Sequence, residues 1–338
     1  MITTSRFAII VFAVIFILAT ALFFRNSREG SRGEEASPAN PNAEYAFKRD
    51  GFRTNTAKAS VPLEKILDGG PGKDGIPALT NPKFTSIGEA GEFLKDDSDG
   101  ILAVSGNEAR FYPYNILVWH EIANDVIQGK HLVVTFCPLC GSAIVFEAEV
   151  DGEAREFGVS GKLYESNLLM YDKKTESLWS QILGEAVVGD DTGKKLAVYP
   201  SQVLRFREVK AKYPNARVLS TDTGYSRSYG SLPYGDYDTN DDIYFPISIR
   251  DERLPAKEIM YIVNVGEQSV AFKMKDLSQV KEAIEDADGK KITAKLIDGE
   301  IEVRGEDGSL IPGYHAMWFS WAIHHQKDGI VWTREKQK

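Results

Sequence analysis

The sequence predicts a β-rich α+β protein, mostly antiparallel sheets with a few helices, preceded by a single N-terminal transmembrane helix. Three observations carry that prediction. Short apolar runs such as His131–Phe136, Ser142–Val150, Glu156–Ser160 and Asn167–Asp172 recur between Gly, Ser and Asp punctuation, and Asp151-Gly152 is a strong hairpin signal. Neither a strand–helix–strand cadence nor a Gly-rich phosphate loop occurs, which argues against doubly wound nucleotide-binding folds. Finally, Phe7–Phe24 runs 18 residues without a charge, interrupted only by the polar Thr20.

As a helix that run would span roughly 27 Å, enough for a hydrocarbon core. A secretory signal usually has a shorter apolar stretch closed by small residues, whereas this one continues past Ala19 and Ala21 through Leu22, Phe23 and Phe24. Residues 1–24 are therefore expected to anchor the chain. Arg25, Arg28 and Arg32 follow the run and only Arg6 precedes it, which leans toward a cytoplasmic domain. An anchor that opens the chain instead matches an exported protein, and the expectation is a single-pass membrane protein with its globular part outside the cytoplasm. Residues 25–58, rich in Ser, Asn, Gly, Pro and mixed charge, read as a flexible linker. Residues 59–338 then form one globular domain, long enough to bury a large core.

Within it, Gly69-Gly70-Pro71-Gly72 marks a loop, and a helix is expected after Ser86. Ile101–Val104 and Glu108–Tyr112 read as strands. Ile116, Leu117, His120, Ile122, Ala123 and Ile127 recur at helical spacing, predicting an amphipathic helix stopped by Gly129. Two or three strands are expected between Ala186 and Phe206, then Arg217–Ser220, then a Tyr-, Gly- and Asp-rich ordered loop over Thr221–Asn240. The last third alternates again over Glu258–Val265, Ser269–Met274, Ile292–Leu296, Ile301–Arg304 and Ile330–Thr333. Leu277–Ile284 reads as a short helix and Ala316–His324 as a helix or bulged strand. The likeness of Ser142–Phe146 to Ser269–Phe272 hints at an internal duplication.

Composition narrows function. Forty basic residues against 49 acidic ones give a net charge of −9, and no basic run exists to neutralise phosphates, so a nucleic-acid partner is not expected. Two cysteines make no disulfide framework. They stand two residues apart, as Cys137-Pro138-Leu139-Cys140-Gly141 between two strands, where both thiols can share one metal or one disulfide. A metal knuckle fits the strand–turn–strand setting, but closed zinc sites take four ligands, so histidine must complete the set. His120 is the first choice, and His315, beside the aromatic run Met317–Trp321, the second; zinc or copper is the expected metal. For Cu(I), Met170, Met260 or Met317 could add a thioether. A thiol–disulfide oxidoreductase using Cys137 and Cys140 is the alternative, although no helix follows the motif to lower a thiol pKa through its dipole. A non-catalytic interaction domain is the third reading. The polar run Ser160–Asn167 is expected to line a pocket, His324 and His325 to lie at the surface, and the acidic residues around Asp236 to form a solvated loop.

His120-Glu121-Ile122-Ala123-Asn124-Asp125, Thr135–Ser142, Phe157–Asp172 and Ser177-Leu178-Trp179-Ser180-Gln181 together resemble the domain-of-unknown-function family numbered 3179. The resemblance implies a Cys-Pro-x-Cys turn in an often membrane-anchored or exported protein. It implies no activity. Members often carry an aromatic-Pro pair after the Trp-Phe-x-Trp motif, where this chain has His324-His325-Gln326.

Overall fold

The computed structural model describes residues 50–337. The expected anchor at residues 1–24 and most of the expected linker lie outside them. Among the described residues, no helix is long and apolar enough to cross a membrane. The last residues of the expected linker are docked on the fold. Phe52 is buried edge-on against Tyr171, and Thr54 donates to the Glu176 carbonyl at 2.6 Å.

The fold is β-rich and largely antiparallel, as the alternating runs predict. Along the chain run α1 (Ile87–Ala90), β1 (Asp99–Ser105), β2 (Glu108–Pro113), α2 (Tyr114–Leu117), β3 (Ile122–Ile127), β4 (Lys130–Cys137) and β5 (Ser142–Glu147). There follow β6 (Phe157–Tyr164), β7 (Asn167–Asp172), β8 (Ser201–Arg205), α3 (Phe206–Lys212) and β9 (Arg217–Leu219). The rest is β10 (Ile259–Val265), β11 (Gln268–Lys273), α4 (Met274–Val280), β12 (Glu282–Ala287), β13 (Lys290–Ile297), β14 (Glu300–Gly305), β15 (Gly313–Met317), α5 (Trp318–Ala322) and β16 (Gly329–Trp332). Ser86 caps α1 in a capping box with Glu89, as expected after that serine.

The amphipathic helix predicted over residues 116–127 is not there. Helix α2 ends at Leu117, and Ile122–Ile127 is a strand paired with β4 through Ile122↔Thr135 to Ile127↔Lys130. The pattern misleads because β3 is buried on both faces. Asn124 and Asp125 are buried polar residues with partners: Asn124 donates to the Leu79 and Phe157 carbonyls, and Asp125 accepts from Tyr112 at 2.5 Å and from Arg110.

The hint of duplication is real, but its register is different. The run β1–β2–α2–β3–β4 recurs as β10–β11–α4–β12–β13, each element beginning 160 residues later. Turn geometry repeats with it: Gly106 and Gly266 have φ +57° and +56°, Gln128-Gly129 and Asp288-Gly289 have +51°/+78° and +49°/+69°. Flanking strands repeat too. Strand β8 lies antiparallel to β1 with Ser201 opposite Ala103, and β15 lies antiparallel to β10 with Gly313 opposite Val263. A helix follows each directly, then a strand running parallel to β2 or β11. Ser142–Phe146 therefore matches β14, not Ser269–Phe272.

The copies exchange halves. One eight-stranded sheet, in the order Leu79–Thr80, β3, β4, β5, β15, β10, β11, β16, joins the β3–β5 unit of the first copy to the body of the second across β5 and β15. At the reciprocal junction Gln202 of β8 exchanges hydrogen bonds with the main chain of Ile301 in β14 at 2.8 and 2.9 Å. Between the copies, β6 and β7 form a further five-stranded sheet with Ile66–Asp68, Leu178–Ser180 and Glu185–Val188. The copies differ at one corner. Where β13 and β14 are joined by Asp298-Gly299 alone, β4 and β5 are joined by Pro138-Leu139-Cys140-Gly141.

Candidate dithiol site

That corner lies at the seam where β5 meets β15. The Cys140 amide donates to the Cys137 carbonyl at 3.1 Å, closing a tight turn, and the Met317 amide donates to the Cys140 carbonyl at 2.8 Å. Gly141 continues the turn at φ +53°, where a Cβ would stand 3.0 Å from Met317 Cγ; both the left-handed backbone and the crowding by the methionine favour glycine there. The turn is so folded that Cys137 Sγ and Cys140 Sγ lie 3.0 Å apart, with the two residues 2 % and 0 % exposed.

A polar network surrounds the sulfurs within an otherwise apolar cluster. The β6–β7 hairpin turns through Glu165 and Ser166, two consecutive non-glycine residues at φ +51° and +62°. Such turns favour Asn-Gly, and each non-glycine residue in the left-handed region costs on the order of 1 kcal/mol or more. The strained turn lets the Ser166 carbonyl accept a hydrogen bond from Cys140 Sγ at 3.2 Å, and Asn167 Nδ2 donates to the same sulfur at 3.4 Å. Asn167 is held in turn: Nδ2 also donates to Gln181 Oε1 at 3.0 Å, and Oδ1 accepts from the Ile182 amide at 3.0 Å. Gln181 Oε1 accepts from Ser142 at 2.6 Å, and its Nε2 donates to Thr135 at 3.0 Å.

The two thiols are electrostatically unequal. Burial pushes Cys137 up, and its donation to Cys140 and the nearby acidic Glu121 push it further. Burial acts on Cys140 the same way, but donation from Cys137, Asn167 and Ser320 outweighs it and brings its pKa below the ordinary thiol value. Cys140 is therefore the thiolate-prone sulfur. Glu121 is itself buried, which pushes its carboxyl to about 7 even though Tyr234 donates to it at 3.2 Å.

A long irregular strap, residues 220–258 between β9 and β10, closes the site. Tyr229 bonds His120 at 2.8 Å, Tyr237 donates to the Leu139 carbonyl inside the CPLCG turn at 2.7 Å, and the Ser248 amide donates to Glu165 at 2.7 Å. Trp318 Nε1 donates to the Asp251 carbonyl at 2.8 Å. The loop expected over Thr221–Asn240 is thus ordered and covers the cysteines.

The histidines expected as ligands are engaged elsewhere. His120 Nδ1 donates to the Pro77 carbonyl at 2.8 Å, which leaves Nε2 to accept from Tyr229, and burial holds its pKa near 4. His120 also follows α2 rather than riding a long helix, so no helix carries it toward the turn. His315 bridges to Ala143, yet its neighbours Tyr314 and Ala316 are the residues that join the cysteine cluster. Alternation along β15 turns His315 the other way, edge-on to Tyr261 at 5.1 Å, and burial brings it to about 4. Among the described residues no group of three or more His, Cys, Asp or Glu is arranged to hold a metal. The sulfurs stand 3.0 Å apart, against the roughly 3.8 Å that two 2.3 Å bonds at a tetrahedral angle would set. Of the thioethers, Met317 touches the turn. His324 is less exposed than expected, with a buried Nε2 that has no partner and a pKa lowered to about 4 by burial and His325.

Sequence reading identified the cysteines and flagged Ser160–Asn167 as polar, but not that Ser166 and Asn167 face Cys140. It missed Glu121, Gln181, Ser320 and Tyr237 as surroundings of the thiols. Asn167 lies 27 residues from Cys140. Only the pairing of β6 with β7 delivers it, and nothing local signals that.

No curated protein and no solved structure matches the chain. One family model does, over residues 73–310, a span that includes both cysteines, Asn167 and the strap. The chain belongs to the family described as Protein of unknown function (DUF3179).

Proposed function

We propose that Cys137 and Cys140 form a thiol–disulfide redox centre rather than a cysteine–histidine metal site, in a domain tethered to a membrane by residues 7–24 and facing out of the cytoplasm. The observation that carries this reading is the 3.0 Å contact between two sulfurs of unequal acidity, away from any cluster of metal-ligating side chains among the described residues. Cys140 is the nucleophile. Its thiolate attacks one sulfur of an incoming disulfide, that S–S bond breaks, and the other sulfur leaves as a thiol. Cys137 then attacks Cys140 and releases the second thiol. As Cys137 attacks, its proton goes to the departing sulfur, which leaves as a thiol. Two electrons and two protons pass from the cysteines to the disulfide. The tether rests on the uncharged run Phe7–Phe24 and the linker that follows it.

The test is an equilibrium titration. The full-length chain is equilibrated with mixtures of reduced and oxidised dithiothreitol, free thiols are alkylated, and the product is weighed. The reading predicts one two-electron transition, lost in Cys137→Ser and in Cys140→Ser. Two thiols that stay reduced across the whole range would refute it.

A further inference from the structure

The stretch of the strap from Tyr237 to Ser248 is fastened at both ends to the dithiol's immediate surroundings. At one end Tyr237 donates to the carbonyl of Leu139, a residue that lies between the two cysteines in the chain. At the other, the Ser248 amide donates to Glu165, the first residue of the strained β6–β7 turn. The second residue of that turn, Ser166, accepts through its carbonyl from Cys140 Sγ. Between the two fastenings Phe245 is buried in the same apolar cluster as both cysteines, with Ile243, Tyr244 and Ile247 packed against it. The stretch contains no helix or strand, so no ladder of hydrogen bonds holds it down. Lys257 donates to the Tyr237 and Asn240 carbonyls, but that ties the strap only to itself. The strap's remaining anchors bypass the CPLCG turn and the β6–β7 turn: Tyr229 bonds His120, Tyr234 donates to Glu121, and the Ser231 and Asp251 carbonyls accept from Trp119 and Trp318.

The oxidation state of the pair bears on both fastenings. Reduced, Cys137 donates to Cys140, and Cys140 donates to the Ser166 carbonyl. A disulfide removes both thiol hydrogens. Ser166 is completely buried, so its carbonyl without this donor carries the cost of an unpaired acceptor, in a turn that already holds two residues at positive φ. The new bond also closes a ring through Pro138 and Leu139, drawing together sulfurs that now stand 3.0 Å apart. A differential contact of this kind is what a two-state element needs.

From this arrangement we infer that residues 237–248 are a redox-gated clasp, held down while Cys137 and Cys140 are thiols and released when they are joined. The inference rests on the dithiol reading above and adds the regulation of that site. The oxidant is a disulfide, as in that reading. Its S–S bond breaks and it leaves as two thiols, carrying the two protons and two electrons of the cysteines, while the Cys137–Cys140 bond forms. Ring closure draws the Leu139 carbonyl away from Tyr237. The turn freed from Cys140 relaxes and no longer presents Glu165 to Ser248. Release uncovers Tyr237 and Phe245, which the reduced chain buries, and an external dithiol reverses the change.

The experiment is hydrogen exchange read by mass spectrometry on the full-length chain, either reduced with dithiothreitol or oxidised with bis(hydroxyethyl) disulfide, each state confirmed by intact mass. Peptides spanning residues 237–248 should exchange roughly fivefold to tenfold faster in the oxidised chain, as expected when one or two net hydrogen bonds are lost from a local opening equilibrium. Peptides from β12–β14 should not change, and re-reduction should restore the slow rate. Tyr237→Phe leaves both cysteines and the hairpin in place; its 237–248 peptides should already exchange faster when reduced and gain less on oxidation. An oxidised chain whose 237–248 peptides exchange at the reduced rate overturns the clasp and leaves the dithiol reading standing. Equal acceleration in β12–β14 means general loosening and also overturns it. A chain that never loses two hydrogens overturns the dithiol reading, and the clasp with it. Parent-like exchange of Tyr237→Phe in both states overturns the role given to the Leu139 link.

Discussion

Asn167 is the donor whose removal speaks most directly to the acidity of Cys140. Its Nδ2 reaches the sulfur at 3.4 Å, within a buried site where burial pushes the thiol the other way. A hydrogen bond to a charged acceptor contributes about 1.5–3 kcal/mol, and 1.36 kcal/mol is one pKa unit, so Asn167→Ala should raise the Cys140 pKa by about one to two units. The substitution also strips a partner from Gln181 and leaves the Ile182 amide buried and unpaired, which costs about 1–3 kcal/mol of stability. Both effects can be measured apart. In a Cys137→Ser background a single thiol remains, so thiolate ultraviolet absorbance against pH reports Cys140 alone, while urea unfolding reports stability. A folded Asn167→Ala chain with an unchanged titration midpoint would refute the claim that this amide sets the thiolate.

Two further predictions concern the surroundings. Tyr237→Phe removes the strap's hydrogen bond to the Leu139 carbonyl at a cost of about 1 kcal/mol, and cysteine alkylation in the native state should quicken by several-fold, with no change expected if the strap does not cover the thiols. His315, held near 4 against about 6.5 unfolded, binds fewer protons folded than unfolded. It therefore contributes stability present above pH 6.5 and lost as pH falls toward 4, about 3 kcal/mol in all. Glu121 works the other way: held near 7, it favours folding as pH falls from 7 to its unfolded value. Urea midpoints against pH should therefore drop less steeply on the acid side in His315→Phe, and more steeply in Glu121→Gln; parallel curves for all three chains would contradict this assignment.

Much of this architecture is legible in the sequence because half-buried strands write their alternation plainly. Asp151-Gly152 does form a two-residue hairpin, and Arg217–Leu219 and Ile330–Trp332 are strands where apolar runs predict them. The alternation fails where a strand is buried on both faces, as in β3, whose Ile122, Ala123 and Ile127 also suit a helix. It fails again at Glu282–Ala287, where alternating charges and alanines carry too little apolar signal to mark a strand. The duplication stays hidden because matching positions conserve turn geometry rather than residue type: Gln128-Gly129 answers Asp288-Gly289, and Phe111 answers Ala271. The dithiol was visible from its spacing. Its surroundings were not, since Glu121, the Ser166-Asn167 pair and Ser320 come from three distant parts of the chain that only the tertiary fold brings together.

The choice between a redox pair and a metal site comes down to one mass. The full-length chain, purified without a metal-affinity column and weighed intact under native conditions, should carry no stoichiometric metal. It should interconvert between a reduced form and one lighter by two hydrogens, a change that Cys137→Ser and Cys140→Ser each abolish. One zinc or copper per chain, lost in both cysteine variants, would contradict the dithiol account and restore the metal centre.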